Sequence, residues 1–216
     1  MEMTQEEKLD KTALYIKEVF SGESSGHDWW HIVRVWNMAT KLARQEGANI
    51  YITEMAALLH DLDDWKFNED DTPVKAKAWL AQLGEEAETT AHIIDIIQNV
   101  SYKGAGVPTE MKSIEGKCVQ DADRIDALGA IGIARTFAYG GHAGHEIYNP
   151  NVKAEMHDSF EDYKTKTSHT INHFYEKLLL LKDRMNTVSG TKLAHQRHAF
   201  MMVYLDQFYA EWKGEQ

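Results

Sequence analysis

The sequence is poor in cysteine and proline and has no long apolar run. Its one cysteine, Cys118, cannot form a disulfide within the chain, which favours a reducing compartment. Three prolines and no linker rich in glycine and serine argue against a second domain. No apolar run approaches the ~18 residues that cross a bilayer, and the acidic N-terminus lacks the pattern of a signal peptide. We expect one cytoplasmic domain over residues 1–216, with no membrane partner.

Positive charge is also in short supply. The chain has 23 lysines and arginines against 34 aspartates and glutamates, a formal net charge of −11. The electrostatic field of a negatively charged protein opposes broad binding to nucleic acid or to an anionic membrane. It does not oppose a small phosphorylated substrate, because a metal ion and a few basic side chains can reverse the field inside one pocket.

Helical spacing of apolar residues accounts for most of the chain, and no stretch shows the alternation of a half-buried strand. The first predicted helix is amphipathic and lies near the N-terminus. The third is predicted to begin at Thr53, which would cap it, and to carry His60. A long glycine-containing loop is expected over about 138–158. The remaining helices are predicted at about 28–46, 72–84, 85–100, 113–137, 160–186 and 191–212. The fold class is therefore all-α.

The dipeptide His60-Asp61 is the most informative feature, because it follows a run of apolar residues typical of a buried helix. A buried carboxylate without a partner costs several kcal/mol. A metal ion would offset that cost, since it binds neutral imidazole and ionised carboxylate together. His31 and Asp123, in two other helical segments, are the candidates to complete a site. Two histidines and two carboxylates suit a borderline or harder divalent ion.

The order of these residues resembles that of the HD-domain metal-dependent phosphohydrolases. The matching strings, within about 24–140, are His27-Asp28-Trp29-Trp30-His31, Ala56-Ala57-Leu58-Leu59-His60-Asp61 and Asp121-Ala122-Asp123-Arg124. The resemblance implies a compact multi-helix bundle with a C-terminal helical extension at about 159–212. It also implies that His31, His60, Asp61 and Asp123 are the metal ligands. The string Phe137-Ala138-Tyr139-Gly140-Gly141 looks like a bacterial single-domain subgroup, some of whose members are nucleotide pyrophosphohydrolases.

One metal ion is expected rather than two. His92 is the only histidine between Asp61 and Asp123, and the segment 100–104 lacks the histidine pair that a dinuclear HD subgroup would carry. Mn²⁺ is favoured, and Ni²⁺, Co²⁺, Fe²⁺, Zn²⁺ and Mg²⁺ are left open.

The resemblance implies that Asp64 acts as general acid or base beside the metal. Asp64 follows His60 by four residues, so both share a helix face if the helix continues. A solvated acid in the run with Asp63 is the alternative. His27 precedes His31 by one turn and could contact a phosphate oxygen or protonate a leaving group. A capping or solvated histidine is equally open for His27.

Five further side chains are candidates to bind the substrate. Lys66 and Lys103 could neutralise phosphates, because a polyphosphate needs cations beyond one metal ion. Arg34 follows His31 by nearly one turn and could line the same side of the site. The alternatives are solvated lysines, and for Arg34 an acidic partner. Arg135 and Tyr139 could reach a substrate at the mouth of the pocket, with packing as their alternative.

The resemblance to the bacterial single-domain subgroup implies hydrolysis of nucleoside triphosphates, ribo or deoxy, to monophosphate and pyrophosphate. Two alternatives stay open: a 5′-nucleotidase or phosphomonoesterase on the same site, and a metal-binding protein that senses a ligand without catalysis. The aromatic C-terminal helix, with Phe208, Tyr209 and Trp212, either closes the core or forms a homodimer contact.

Overall fold

The computed structural model describes residues 3–22, 28–63, 73–101, 109–155 and 168–215. Within those ranges the regular structure is helical and includes no strand, which confirms the all-α prediction. The chain divides into two compact units, Met1–Tyr102 with Thr109–Asp123, and Lys103–Pro108 with Arg124–Gln216. Among the described helices, none combines the length and apolar character needed to cross a membrane. The single domain over 1–216 stays a prediction.

Helix α3 is central to the first unit, because it contacts α1, α2 and α5. Its last five residues, 55–59, are all fully buried, so the chain arrives at His60 from inside the core. The helices of this unit are α1 (Gln5–Val19), α2 (Trp29–Glu46), α3 (Ile50–Leu59), α4 (Val74–Gln82), α5 (Ala87–Val100) and α6 (Ile114–Asp126), which ends just beyond the unit.

The caps of α2 and α3 set where these helices begin. Asp28 caps α2 by accepting a hydrogen bond from the backbone N–H of His31 at 2.8 Å, and the helix ends at Gly47 with a φ of 74°. Both ends agree with the predicted span of about 28–46. The predicted Thr53 cap is wrong, because Asn49 caps α3 with a 3.2 Å bond from the N–H of Ile52. Thr53 lies inside the helix and donates to the carbonyl of Asn49.

The second unit contains α7 (Gly129–His142), α8 (Thr170–Glu176), a 3₁₀ helix (Leu178–Arg184) and α9 (Val188–Lys213). Phe174 is fully buried among aromatic rings, with its centroid 6.1 Å from that of Phe137 and 6.0 Å from that of Tyr204. Near the end of α9, three rings pack around Tyr148: Phe208, Tyr209 and Trp212. The aromatic residues of the last helix therefore pack within their own unit, and a homodimer stays a prediction.

The prediction of one helix over about 113–137 is wrong. Gly129 has a φ of +73°, in the left-handed region that ends α6 and begins α7. The N–H groups of Ala127 and Leu128 bond to carbonyls three residues earlier and close α6. Because α7 then runs to His142, the predicted loop of 138–158 begins later. In place of one helix at about 160–186 there are two short helices, and residues 156–167 lie outside the described part.

Candidate metal centre

The four predicted ligands meet in the first unit. His31 lies in the first turn of α2, His60 and Asp61 lie in the turn after α3, and Asp123 lies in α6. Nε2 of His31 is 3.4 Å from Oδ2 of Asp61 and 3.5 Å from Oδ1 of Asp123. Nε2 of His60 is 3.3 Å from Oδ1 of Asp61 and 3.9 Å from Oδ1 of Asp123.

These separations fit a single ion. Ligand atoms of His31, His60 and Asp61 all lie within 4.8 Å of one another. Nitrogen and oxygen ligands bind a divalent transition metal at about 2.0–2.2 Å, which puts them about 3–4.3 Å apart around it. The three residues could therefore hold one divalent ion, and the oxygen of Asp123 stands at a compatible distance.

The protonation of His60 supports a cation at this point. Its Nδ1 lies 2.8 Å from the carbonyl oxygen of Ala57, and because a carbonyl only accepts, Nδ1 carries the proton. In a neutral ring, Nε2 then presents a lone pair towards the two aspartates. This atom is buried and has no hydrogen-bond partner among the described residues. A lone pair facing carboxylate oxygens is repulsive unless a cation lies between them.

Burial strengthens the same argument. His31 is fully buried, and His60 and Asp61 are 2% and 4% exposed. A bound cation would stabilise the charged form of a carboxylate so far from water. The side chain of Asp123 is 27% exposed, so solvent reaches the cluster beside Asp123.

The turn at His60 differs from the prediction. Helix α3 ends at Leu59, and the N–H of Leu62 bonds to the carbonyl of Leu59 at 3.1 Å. His60 and Asp61 therefore lie just beyond the helix. The helix does not continue through His60, which was the condition for Asp64 to share a helix face with it. Asp64 itself, like His27, Lys66 and Lys103, lies outside the described residues, so the roles of these four stay predictions.

The other predicted substrate contacts lie on two helices. Arg34 is half-buried on α2, nearly one turn after His31. Arg135 lies on α7 in the second unit, where its Nη1 is 2.7 Å from Oδ2 of the buried Asp126. Tyr139, also on α7, is 53% exposed. The ion pair gives Arg135 a structural role, and a contact with substrate stays a prediction for all three.

His92 takes no part in the cluster. Its Nε2 lies 3.5 Å from Oε2 of Glu115, and that glutamate also accepts the N–H of Asn49 at 2.9 Å. The group of described residues that could hold a metal ion does not include His92. This arrangement is compatible with the expectation of one metal ion.

Sequence reasoning missed the role of Asp63. Its two carboxylate oxygens accept the N–H groups of Lys75 and Ala76, at the start of α4. In the sequence, Thr72 and Pro73 indicate a cap followed by the first helical residue. In the structure Pro73 takes the N-cap position, and Thr72 lies outside the described residues. The residue that supplies the cap could not be read from Thr72 and Pro73.

Comparisons with known proteins extend along nearly the whole chain. The family model described as HD domain matches residues 29–128, a range that contains all four clustered residues. A solved structure from Lactobacillus plantarum is similar at 38% identity and a TM-score of 0.85, covering 98% of this chain and 100% of that one. An HD-superfamily hydrolase from Bacillus thuringiensis is 46% identical, with a TM-score of 0.77 and coverage of 97% and 99%. YpgQ of Bacillus subtilis, solved in complex with ADP, is 35% identical, with a TM-score of 0.75 and coverage of 94% and 97%.

Proposed function

The chain belongs to the HD-domain family of phosphohydrolases, and from that premise we propose that it hydrolyses nucleoside triphosphates to monophosphate and pyrophosphate. The observation that carries the proposal is the cluster of His31, His60, Asp61 and Asp123, with ligand atoms at the spacing of one coordination sphere. We propose all four as ligands of one divalent ion, with Mn²⁺ favoured.

Each ligand has a distinct part in this proposal. His31, His60 and Asp61 hold the ion from the buried side, and the proton on Nδ1 of His60 keeps its Nε2 aimed inward. Asp123 lies on the open side, so the phosphates of a substrate approach next to it. The ion supplies a Lewis acid that polarises a phosphoryl oxygen and generates a nucleophile from water near neutral pH.

A nucleotide is the proposed substrate because the similar protein YpgQ was solved with ADP. Cleavage to pyrophosphate follows from the likeness to the subgroup that carries the Phe137–Gly141 string. In this proposal Asp64 acts as general acid or base, and His27 contacts the phosphate that is attacked or the group that leaves. The proposed substrate contacts are Lys66, Lys103, Arg34, Arg135 and Tyr139.

A product assay tests the proposal. Metal-stripped protein is incubated with ribo- and deoxyribonucleoside triphosphates and monophosphates, each with Mn²⁺, Co²⁺, Ni²⁺, Mg²⁺ or Zn²⁺, and products are separated by chromatography. Monophosphate and pyrophosphate are expected from triphosphates, with turnover abolished in Asp61→Ala. Asp206→Ala, which removes an exposed carboxylate from α9, is the matched control and keeps full turnover.

The other outcomes separate the alternatives. Phosphate released from monophosphates alone would favour a 5′-nucleotidase on the same four ligands. A bound ion with no turnover of any nucleotide would contradict the proposal and favour a sensing protein.

A further inference from the structure

The turn that carries two of the proposed ligands depends on what holds its far end. Helix α3 stops at Leu59, and the N–H of Leu62 bonds to the carbonyl of Leu59, which closes a turn around His60 and Asp61. A shift of about 1 Å in a coordinating side chain is enough to weaken a metal site. The far end of the turn is Asp63, which is the last residue described before 73.

Asp63 supplies the cap that α4 lacks. Pro73 occupies the N-cap position of α4 and makes no side-chain hydrogen bond there. Oδ1 of Asp63 accepts the N–H of Lys75 at 3.2 Å, and Oδ2 accepts the N–H of Ala76 at 2.8 Å. Two backbone donors that would otherwise be unpaired are thus satisfied, and a negative charge lies at the positive end of the helix dipole.

Helix α4 is itself a fixed support. Ala76 and Leu80 are fully buried. Nε1 of Trp79 donates to the hydroxyl of Thr12 at 2.9 Å, and its ring stacks on Tyr15 with 4.1 Å between centroids. Asp63 therefore ties the ligand-bearing turn to a helix that is anchored on α1.

We propose that Asp63 is a positioning residue for the metal centre: by capping α4, it fixes the turn that holds His60 and Asp61 in place. This inference rests on the metal-binding part of the proposed function and not on the substrate. Because both carboxylate oxygens accept backbone N–H groups, Asp63 is placed to hold the turn rather than to transfer a proton.

The test compares Asp63→Ala and Asp63→Asn with a matched loss of a cap. Thr4 caps α1 in the same unit, by accepting the N–H of Glu7 at 3.2 Å, and α1 carries no proposed ligand. Mn²⁺ is titrated into the metal-stripped full chain by calorimetry, and the urea midpoint of each metal-free variant is measured alongside. Asp63→Ala is expected to weaken Mn²⁺ binding by about 10–100-fold, as for other partners that orient metal ligands. Asp63→Asn, which keeps one acceptor oxygen, is expected to weaken it less.

Thr4→Ala is expected to lower the urea midpoint and to leave the Mn²⁺ dissociation constant unchanged. Unchanged Mn²⁺ affinity in both Asp63 variants would overturn the inference. If Asp63→Ala does not fold, the Mn²⁺ affinity of Asp63→Asn is the deciding measurement. Weakened Mn²⁺ binding, in a protein that turns over no nucleotide, would support this inference while contradicting the proposed function. Unchanged affinity in both variants, with nucleotide turnover intact in the wild type, would overturn this inference alone.

Discussion

His60 in the first unit and His169 in the second are both buried histidines, but they differ in how their ring nitrogens are bonded. Nδ1 of His169 accepts the N–H of Asn172 at 3.2 Å, and its Nε2 donates to the carbonyl of Val152 at 3.1 Å. His60 donates through Nδ1 to a carbonyl, and its Nε2 faces carboxylate oxygens. Burial alone therefore does not identify a ligand. The informative observation is a nitrogen whose lone pair points at negative charge.

The largest effect is expected from Asp61→Ala. The variant should lose Mn²⁺ binding and reduce nucleotide turnover by about a thousandfold or more, because the ion and its activated water are lost together. Turnover assays and a Mn²⁺ titration measure both. Mn²⁺ binding that survives the substitution would mean that Asp61 is not a ligand.

Removal of the metal is the next largest effect. A ligand at about 100 times its dissociation constant stabilises the folded chain by about 2.7 kcal/mol. Adding EDTA to the Mn²⁺-loaded wild type should therefore lower the thermal midpoint by several degrees. The same addition should leave Asp61→Ala unchanged, which calorimetric scans would show. An equal shift in both proteins would place the stabilising ion elsewhere.

His169→Ala should give the opposite pattern. It removes the cap of α8 and a second hydrogen bond, so unfolding should become easier by about 1–3 kcal/mol, with or without metal. The Mn²⁺ dissociation constant should not change. Urea unfolding and a Mn²⁺ titration on the same preparation check both statements. Weakened metal binding in this variant would undo the contrast between the two histidines.

The smallest effect is expected from alkylation of Cys118, whose thiol should react only slowly near neutral pH. Burial, with Asp121, Glu46 and Glu115 adding negative charge, raises the pKa of its thiol to about 12. Alkylation of the folded protein at pH 8.5 should be at least about a thousandfold slower than in urea, because only the thiolate reacts. As pH rises above about 9, the unfolded chain ionises first, so the thiol favours unfolding there. Rapid labelling of the folded protein would show that the thiol is accessible.

The cluster of His31, His60, Asp61 and Asp123 was predictable because a histidine and an aspartate follow five apolar residues, where further apolar residues would be expected. A bound metal ion is one explanation for such a pair. The order of His31 and Asp123 around the pair matched that of the HD-domain proteins, and this resemblance selected them. Helix α2 was readable for a similar reason, since Asp28 and Gly47 signal its ends directly.

The errors concern choices between two adequate local signals. Asn49 and Thr53 are both good caps, and only the packed structure selects the earlier one. A glycine within a helical pattern is compatible with a helix interior or with a left-handed break, and Gly129 takes the second because φ is set by tertiary context. The contact of Asp63 with Ala76 spans thirteen positions, and periodicity carries no information about it.

The cap that Asp63 lends to α4 has a consequence for how this sequence can evolve. Position 73 holds a proline, whose side chain cannot accept a hydrogen bond from the first turn of α4. That turn is capped instead by Asp63, which lies beside the proposed metal ligands. Serine or aspartate at position 73 could cap α4 directly, so that the helix would no longer need the side chain of Asp63 as its cap. The two positions should therefore show epistasis, with substitutions at 63 tolerated mainly on a background where 73 has already changed.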